Sequence, residues 1–131
     1  MKFPPPFAEL IGVDVEEIGG GEAVMSLLAE ERHSNPMGTI HGGILCDLAD
    51  AAMGVAFFST LEPGESFTTL ELKINFLRPF WTGKLVARGK VVQRGKTTGM
   101  VECDVFDDQE RLIARSSSTC MVLRGEMAEG R

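Results

Sequence analysis

The spacing of apolar residues divides the chain into a strand region, a helix and a second strand region. Residues 11–29 alternate loosely around the glycines at 19–21, which predicts two strands joined by a glycine turn. From Gly42 onward, apolar residues recur at helical spacing and cover nearly every side, which predicts a buried helix that Pro63 and Gly64 end. The residues of this helical pattern are Ile44, Leu48, Ala49, Ala51, Ala52, Met53, Val55, Ala56 and Phe57.

After the helix, the pattern is that of strands separated by turn residues. The predicted strands lie at 68–77, 85–94, 97–106 and 111–124. Strict alternation in the first of them predicts one face made of Leu70, Leu72, Ile74 and Phe76.

Strands in hairpin succession form an antiparallel sheet, and one such sheet with one helix predicts an α+β fold. The sheet has to curl around the helix to bury all its sides. The whole chain, residues 1–131, suits one domain with a single core. We also expect one helical turn at residues 7–12, after the prolines, and a frayed tail at residues 125–131.

Composition and charge narrow the class of protein. A chain with 44% hydrophobic and 24% charged residues is not a long disordered one. Its net charge of −6 argues against nucleic acid as a partner, because a phosphate backbone requires a basic surface. The N-terminus lacks the apolar stretch of a signal peptide, and the apolar run at 51–58 is too short to span a bilayer. We therefore expect a cytoplasmic protein without a membrane contact.

The metal-binding and nucleophilic residues are few. The chain has three cysteines, Cys46, Cys103 and Cys120. Their odd number and wide spacing do not suit a disulfide framework or a zinc site, so we interpret them as small buried thiols in a reducing compartment. His33 and His41 are the two histidines, too few for a histidine metal site. No GxSxG, GxGxxG or P-loop motif occurs, and we expect neither a metal nor a cofactor.

The stretch NPMGTIHGGILCDLAD, residues 35–50, holds the residues that suggest chemistry. Gly42 and Gly43 stand at the helix start, where N–H groups lack partners and the helix dipole is positive. They therefore form a candidate oxyanion site. The alternative is that both glycines only serve a tight turn into the helix.

The two aspartates in this stretch have different predicted roles. Asp50 lies about two turns into the helix, where burial would raise its pKa as a general base requires. Its alternative role is a carboxylate that accepts hydrogen bonds from strand hydroxyls. Asp47 is nearer the helix start, where a negative charge is favourable anyway. His41 either fixes the loop or helps to place a ligand carbonyl.

The stretch resembles the hotdog-fold thioesterases, and among them the acyl-CoA thioesterases of the phenylacetic-acid-degradation type. The resemblance covers residues 8–124 and rests on Asn35, the HGG at 41–43, Asp50 and the INFLRP at 74–79. It implies a curved antiparallel sheet wrapped around one long central helix. It also implies hydrolysis of an acyl-CoA thioester to the free acid and CoA.

The resemblance assigns roles to individual residues. Asp50 corresponds to the acid that activates water or attacks the thioester carbon, and Gly42 to the glycine whose N–H polarises the carbonyl. Asn35 and His41 correspond to the loop residues that position the thioester or the water. Thr69 corresponds to the residue that holds the water, with Thr68 as the alternative in a register uncertain by one. Gly43 is a further substrate-binding candidate.

In the family, the site forms between two protomers, which implies a homodimer and, by a second pairing, a homotetramer. Basic side chains near the CoA phosphates would here be Arg94, Lys96 and Arg115. The alternative for each is a solvated charge at a strand end.

Two other functions stay open at this stage. One is a non-catalytic hotdog protein that binds acyl-CoA, and the other is a hotdog enoyl-CoA hydratase or dehydratase that uses His41 and Asp50. The sequence does not specify the acyl group.

Overall fold

The structure is a computed structural model and describes residues 4–131. In this range, no helix is long and apolar enough to cross a membrane. Helix α1 spans Pro6–Ile11 and helix α2 spans Gly42–Phe58, with short 3-10 helices at Glu31–His33 and Gly125–Ala128. The strands are β1 (Val13–Gly19), β2 (Glu22–Ala29), β3 (Ser66–Phe76), β4 (Gly83–Arg94), β5 (Thr98–Asp107) and β6 (Leu112–Leu123).

The six strands form one antiparallel sheet in the order β1-β2-β4-β5-β6-β3. Helix α2 packs on one face of this sheet, so the predicted α+β fold with a single central helix is confirmed. The prediction that all four strands after α2 follow in hairpin succession is wrong for β3, which pairs with β6 and not with β4. The strands β1 and β3 are the two edges of the sheet.

Helix α2 lies very close to strand β4. A Cβ added at Gly89 would lie 2.5 Å from the backbone oxygen of Ala52, so only glycine permits this approach. The side of α2 that faces the sheet is buried and packs against the strand residues that make up the rest of the core. Its buried residues are Leu45, Leu48, Ala49, Ala52, Met53, Ala56 and Phe57.

One side of α2 is not covered, which corrects the prediction of a helix buried all round. The sheet contacts the helix from one side only. Gly43, Cys46, Asp47, Asp50 and Gly54 recur every three or four residues along the uncovered side, which we call the open side of α2. Asp50 is exposed there, and Cys46 is half-buried, whereas the other two cysteines are buried as predicted.

Strand β3 contains a β-bulge that the alternation did not predict. Thr69 pairs with Cys120 and Glu71 pairs with Thr119, so Leu70 is an extra residue, and it is exposed. Leu70 therefore does not share the inner face with Leu72 and Ile74, which pack against the core. The extra residue shifts the inward–outward alternation of the strand by one position. Residues before the bulge and residues after it can therefore both face α2.

The two ends of the chain behave differently. The helical turn predicted after the prolines is confirmed as α1. The tail at residues 125–131 contains an exposed 3-10 helix at Gly125–Ala128, which Gly125 enters with a φ of 59° that glycine adopts without strain, and the fraying of this tail stays a prediction. Arg124 anchors it, because its guanidinium donates to the Glu65 carboxylate at 2.7 Å. A short charged segment carries no hydrophobic period that would have indicated this helix.

Candidate active site

The loop before α2 is closed by the side chain of Asn35. Its Nδ2 donates to Thr39 Oγ1 at 2.8 Å, and its Oδ1 accepts from the Met37 N–H at 2.9 Å. The Asn35 backbone N–H also donates to the Thr39 carbonyl at 2.8 Å. The amide is thus engaged within its own loop, where it determines the loop's shape.

Two histidines fix this loop to the rest of the domain. His33 is buried, and its Nδ1 accepts from the Glu30 N–H at 3.0 Å, so its Nε2 must donate to the Ile11 carbonyl at 2.8 Å. The His33 carbonyl in turn accepts from the His41 N–H at 2.8 Å. His33 is therefore a structural residue that places the start of α2.

His41 caps α2 with its side chain. Its Nδ1 accepts from the Gly43 N–H at 2.8 Å, which leaves the imidazole proton on the exposed Nε2. Within residues 4–131, the neighbouring Gly42 N–H has no hydrogen-bond partner. The free donor at the start of α2 is therefore Gly42, and Gly43 is already engaged.

Close packing explains both glycines. Neither has a positive φ, so the turn itself does not require glycine here. A Cβ at Gly42 would lie 2.8 Å from Phe76 Cζ, and one at Gly43 would lie 2.9 Å from His41 Nδ1. The interpretation of both as turn glycines is thus not supported, because contact rather than backbone conformation excludes a side chain.

A groove of about 360 Å³ opens beside Gly42. Phe76 and Phe80 form part of its wall, and Asn35 and Arg78 also line it. We call the loop 35–43 together with this groove the helix-start site. Phe76 and Arg78 were not among the predicted site residues, although both lie in the FLRP stretch that the resemblance includes, which was the available signal.

Asp50 lies on the open side of α2 and has no hydrogen bond or ion pair within the described part of the chain. The alternative of a carboxylate held by strand hydroxyls is therefore wrong. Loss of hydration against the surrounding protein raises the pKa of Asp50, and the negative charge of Asp47 raises it further.

Asp47 does not behave as a favourable helix-start charge. It lies in the second turn of α2, and the first turn holds no acidic residue. Loss of hydration raises the pKa of Asp47, and nearby His41 only partly offsets this effect. The prediction failed because the helix dipole acts mainly on the first turn.

Thr69, and not Thr68, lies on the side of β3 that faces α2. Phe67 packs on the ring of Phe57, which lies on α2, at a centroid distance of 5.4 Å. Thr69 lies two residues after Phe67 in the strand, so its side chain points to the same face. Thr69 Oγ1 lies 3.7 Å from Cys120 Sγ. Burial raises the pKa of the Cys120 thiol, and the charge of Asp50 adds to this effect, which places Asp50 in the same neighbourhood. We call Asp50 with Thr69 the mid-helix site.

The two sites do not meet within one chain. Gly42 and Asp50 are eight residues apart on one helix, which corresponds to about 12 Å along its axis. A reacting carbonyl has to lie about 3 Å from the Gly42 N–H and within reach of Asp50, either directly or through one water. One chain therefore supplies both chemical groups but cannot apply them to the same carbonyl.

The basic residues predicted near CoA phosphates differ in their availability. Arg94 is partly buried, donates to Thr60 Oγ1 at 2.9 Å and lies over the Phe57 ring at 5.2 Å. Arg115 donates to both oxygens of Asp104, at 2.7 and 3.1 Å. Lys96 is exposed and has no ion pair among the described residues. Two of the three cations thus already have partners in the single chain.

Comparisons with known proteins identify the family of this chain. The family model described as "Thioesterase superfamily" matches residues 37–114. A 1,4-dihydroxy-2-naphthoyl-CoA hydrolase of Listeria monocytogenes is 31% identical over 87% of this chain and 93% of its own length. The acyl-coenzyme A thioesterase PaaI of Escherichia coli is 31% identical over 82% of this chain and 75% of its own length.

A solved structure agrees as well. The Escherichia coli PaaI protein from the phenylacetic acid degradation operon superposes with a TM-score of 0.87 at 28% identity, covering 93% of this chain and 87% of that chain. The predicted resemblance is confirmed: the chain belongs to the thioesterase superfamily and is a thioester hydrolase with the hotdog fold.

Proposed function

We propose that this protein hydrolyses acyl-CoA thioesters to free acid and CoA in active sites shared between two protomers. The observation that carries the proposal is the separation on α2 of a free N–H at Gly42 from an unpartnered carboxylate at Asp50. Thioester hydrolysis requires both groups, one where negative charge develops and one beside the nucleophile.

A dimer could combine the two groups. If the α2 helices of two protomers pack antiparallel along their open sides, the start of one helix lies beside Asp50 of the other. The free edge of β3 supports this arrangement, because an exposed edge of 11 residues is a template for pairing with another strand. We also propose that two dimers pair into a homotetramer. We further propose that the protein is cytoplasmic.

The reaction begins when the thioester oxygen accepts a hydrogen bond from the Gly42 N–H. The N-terminus of α2 then stabilises the negative charge that forms on this oxygen. As general base, Asp50 takes a proton from water, and the water oxygen bonds to the carbonyl carbon. The C–S bond then breaks, and the thiolate of CoA leaves with the proton that Asp50 took from water, which restores the Asp50 carboxylate.

A nucleophilic role for Asp50 is the second route. The carboxylate would attack the carbonyl carbon and expel the thiolate, and water would then hydrolyse the resulting anhydride. The raised pKa of Asp50 favours the general base, because a stronger base accepts a proton from water more readily.

The remaining site residues position the reactants. Asn35 holds the shape of the loop, and His41 presents its Nε2–H beside Gly42 while its Nδ1 keeps Gly43 engaged. Thr69 would hold the attacking water near Asp50; the contact of Phe67 with Phe57 supports Thr69 over Thr68, because Thr69 and Phe67 lie on the same side of β3. No step of this reaction uses a metal or a cofactor.

The substrate class follows from two relatives, whose names both specify CoA thioesters. A thiol-release assay with phenylacetyl-CoA, an aromatic hydroxyacyl-CoA and short- and medium-chain acyl-CoAs tests the function and identifies the acyl group. We expect release with at least one member of this panel. Saturable binding by calorimetry without thiol release would favour the non-catalytic binder, and hydration of an enoyl-CoA without thiol release would favour the hydratase.

Asp50→Asn tests the assigned acid. We expect kcat to fall by about 10²–10⁴-fold while substrate still binds. Asp47→Asn makes the same chemical change three residues earlier and should keep most of the activity. A near wild-type rate for Asp50→Asn would contradict the proposed mechanism.

A further inference from the structure

Arg78 differs from the other arginines of the folded domain. Six arginines are ion-paired, with nitrogen–oxygen distances of 2.7–3.5 Å. Arg78 is exposed, and its guanidinium has no ion pair or hydrogen bond to any residue between 4 and 131. Apart from Arg131 at the end of the chain, every other described arginine has an ion pair. In a protein of net charge −6, carboxylates are abundant, so a shortage of acids does not explain the missing partner.

The backbone around Arg78 is firmly held. The N–H groups of Leu77 and Arg78 both donate to the Ile113 carbonyl, at 2.9 and 3.3 Å. Pro79 restricts the next φ angle, and the Phe80 carbonyl accepts from the Ile40 N–H at 2.7 Å. The segment therefore connects β6 to the loop before α2, and Arg78 is fixed relative to Gly42.

Arg78 supplies the charge of the groove in the helix-start site. Among the described residues, it is the only charged one that lines this groove of about 360 Å³. The walls around it are largely apolar, with Phe76 and Phe80 on the same groove. An ionic contact in such surroundings is stronger than one in open water, because the effective dielectric constant is lower.

We propose that Arg78 binds an anionic oxygen group of the substrate, either a phosphate of CoA or a carboxylate on the acyl group. The guanidinium can donate two parallel N–H bonds to such a group. This inference rests on the proposed function, since it places the anion on a substrate whose thioester carbonyl is at Gly42. Arg78 takes no part in making or breaking bonds, so its contribution is to KM more than to kcat.

The test compares Arg78→Gln with Arg78→Lys and with Lys90→Gln, which removes an exposed, unpaired charge on β4 away from the groove. The substrates are phenylacetyl-CoA, phenylacetyl-pantetheine, glutaryl-CoA and glutaryl-pantetheine. For the substrates that carry the recognised anion, Arg78→Gln should raise KM about tenfold or more with kcat nearly unchanged. Arg78→Lys should recover part of this loss, and Lys90→Gln should behave as wild type.

The substrates distinguish the two sources of the anion. If Arg78 binds a phosphate, the KM effect occurs with both CoA thioesters and disappears with both pantetheine thioesters. If it binds an acyl carboxylate, the effect occurs with both glutaryl substrates and is absent with both phenylacetyl substrates.

Two results would overturn the proposal. One is an unchanged KM with all four substrates. The other is dissociation of Arg78→Gln into monomers by light scattering, which would identify Arg78 as an ion-pair residue between protomers.

Failure of the proposed function is a separate outcome. If the wild-type protein hydrolyses none of these thioesters, calorimetry with CoA and with glutaryl-CoA still decides the role of Arg78. Binding that Arg78→Gln weakens about tenfold supports the anion site, and equal binding by both proteins overturns it.

Discussion

The start and the middle of α2 differ in how completely one chain satisfies their polar groups. At the start, the Asn35 amide, His41 Nδ1 and the Gly43 N–H all have partners, and the Gly42 N–H alone is free within the described residues. In the middle, Asp50 has no hydrogen bond or ion pair among residues 4–131, and the charge that raises its pKa, that of Asp47, belongs to another acid. The helix-start site is therefore organised by the chain itself, whereas the mid-helix site is left incomplete.

This difference indicates where folding and function conflict. Two carboxylates with raised pKa values on one open helix side oppose the stability of the single chain. Proteins retain such unfavourable groups mainly where activity requires them. The incomplete site is thus the one that we expect a second protomer and the substrate to complete.

At the helix-start site, the largest expected effect comes from removing the free donor. Proline at the first helical position is compatible with a helix, but its ring would meet Phe76, so the variant is built with Phe76→Ala. Gly42→Pro in this background should lower kcat by about 10²–10³-fold relative to Gly42→Ala in the same background, which keeps the N–H. Equal rates for the two in a thiol-release assay would remove Gly42 from the mechanism.

The next test asks whether the two sites belong to different protomers. Asp50→Asn and the Gly42→Pro/Phe76→Ala variant are each nearly inactive alone, but a mixed dimer contains one site with both native groups. Co-refolding at equal amounts should recover about a quarter of wild-type activity, since half the dimers are mixed, half their sites are intact, and each intact site takes Gly42 from the protomer with native Phe76. No recovery, with mixed dimers demonstrated by native mass spectrometry, would contradict the shared site.

The cap at His41 should have a moderate effect on stability. His41→Ala removes the acceptor for the Gly43 N–H and should lower the free energy of unfolding by about 1 kcal/mol. His41→Asn keeps a capping oxygen and should recover most of this loss. Urea unfolding of the three proteins measures it, and equal stability of wild type and His41→Ala would show that the cap contributes nothing.

The smallest expected effect is a shift in the pH profile. The charge of Asp47 raises the pKa of Asp50, so Asp47→Asn should lower that pKa and move the acidic limb of kcat/KM to lower pH. A limb that stays in place or moves to higher pH would contradict the assignment of Asp50 to it.

Stability should depend on pH in the opposite sense to activity. Because the folded-state pKa of Asp50 is above its unfolded value, the native state retains a proton that the unfolded state loses. Asp50 therefore opposes stability as pH rises through the folded pKa. Asp50→Asn should raise Tm at neutral pH but not at pH values below both pKa values, as measured by calorimetric scans.

Much of the fold was predictable, because periodicity depends on the side chains of neighbouring residues. The helical spacing from Gly42 and the strand segments were confirmed within a few residues. The bulge at Leu70 was not predictable, since it arises from pairing between β3 and β6. The open side of α2 was missed because an apolar helix has the same pattern whether or not the sheet covers it.

The residues of the candidate site could be selected from the sequence, but their contacts in the fold could be predicted only in part. Asn35, Gly42 and Asp50 were selected from their spacing, but their catalytic roles remain predictions. The engagement of Arg94 and Arg115 by acidic partners was not visible, because those partners are distant in the chain. The sequence also could not show that Arg78 has no ion-pair partner among the described residues, because this depends on which side chains lie near it in the fold.

The sequence by itself determined the helix, the segments that form strands, and the placement of Gly42 and Asp50 eight residues apart on one helix. These properties are local, since they depend on side-chain period and on spacing along the chain. The tertiary structure decided that the His41 side chain accepts from the Gly43 N–H and that Asp50 lies on the open side of α2. It also decided that, among residues 4–131, the Gly42 N–H has no partner and Arg78 is the one charged residue that lines the groove. Each of these depends on which surfaces meet across the fold, because hydrogen bonding and burial are settled by neighbours in space.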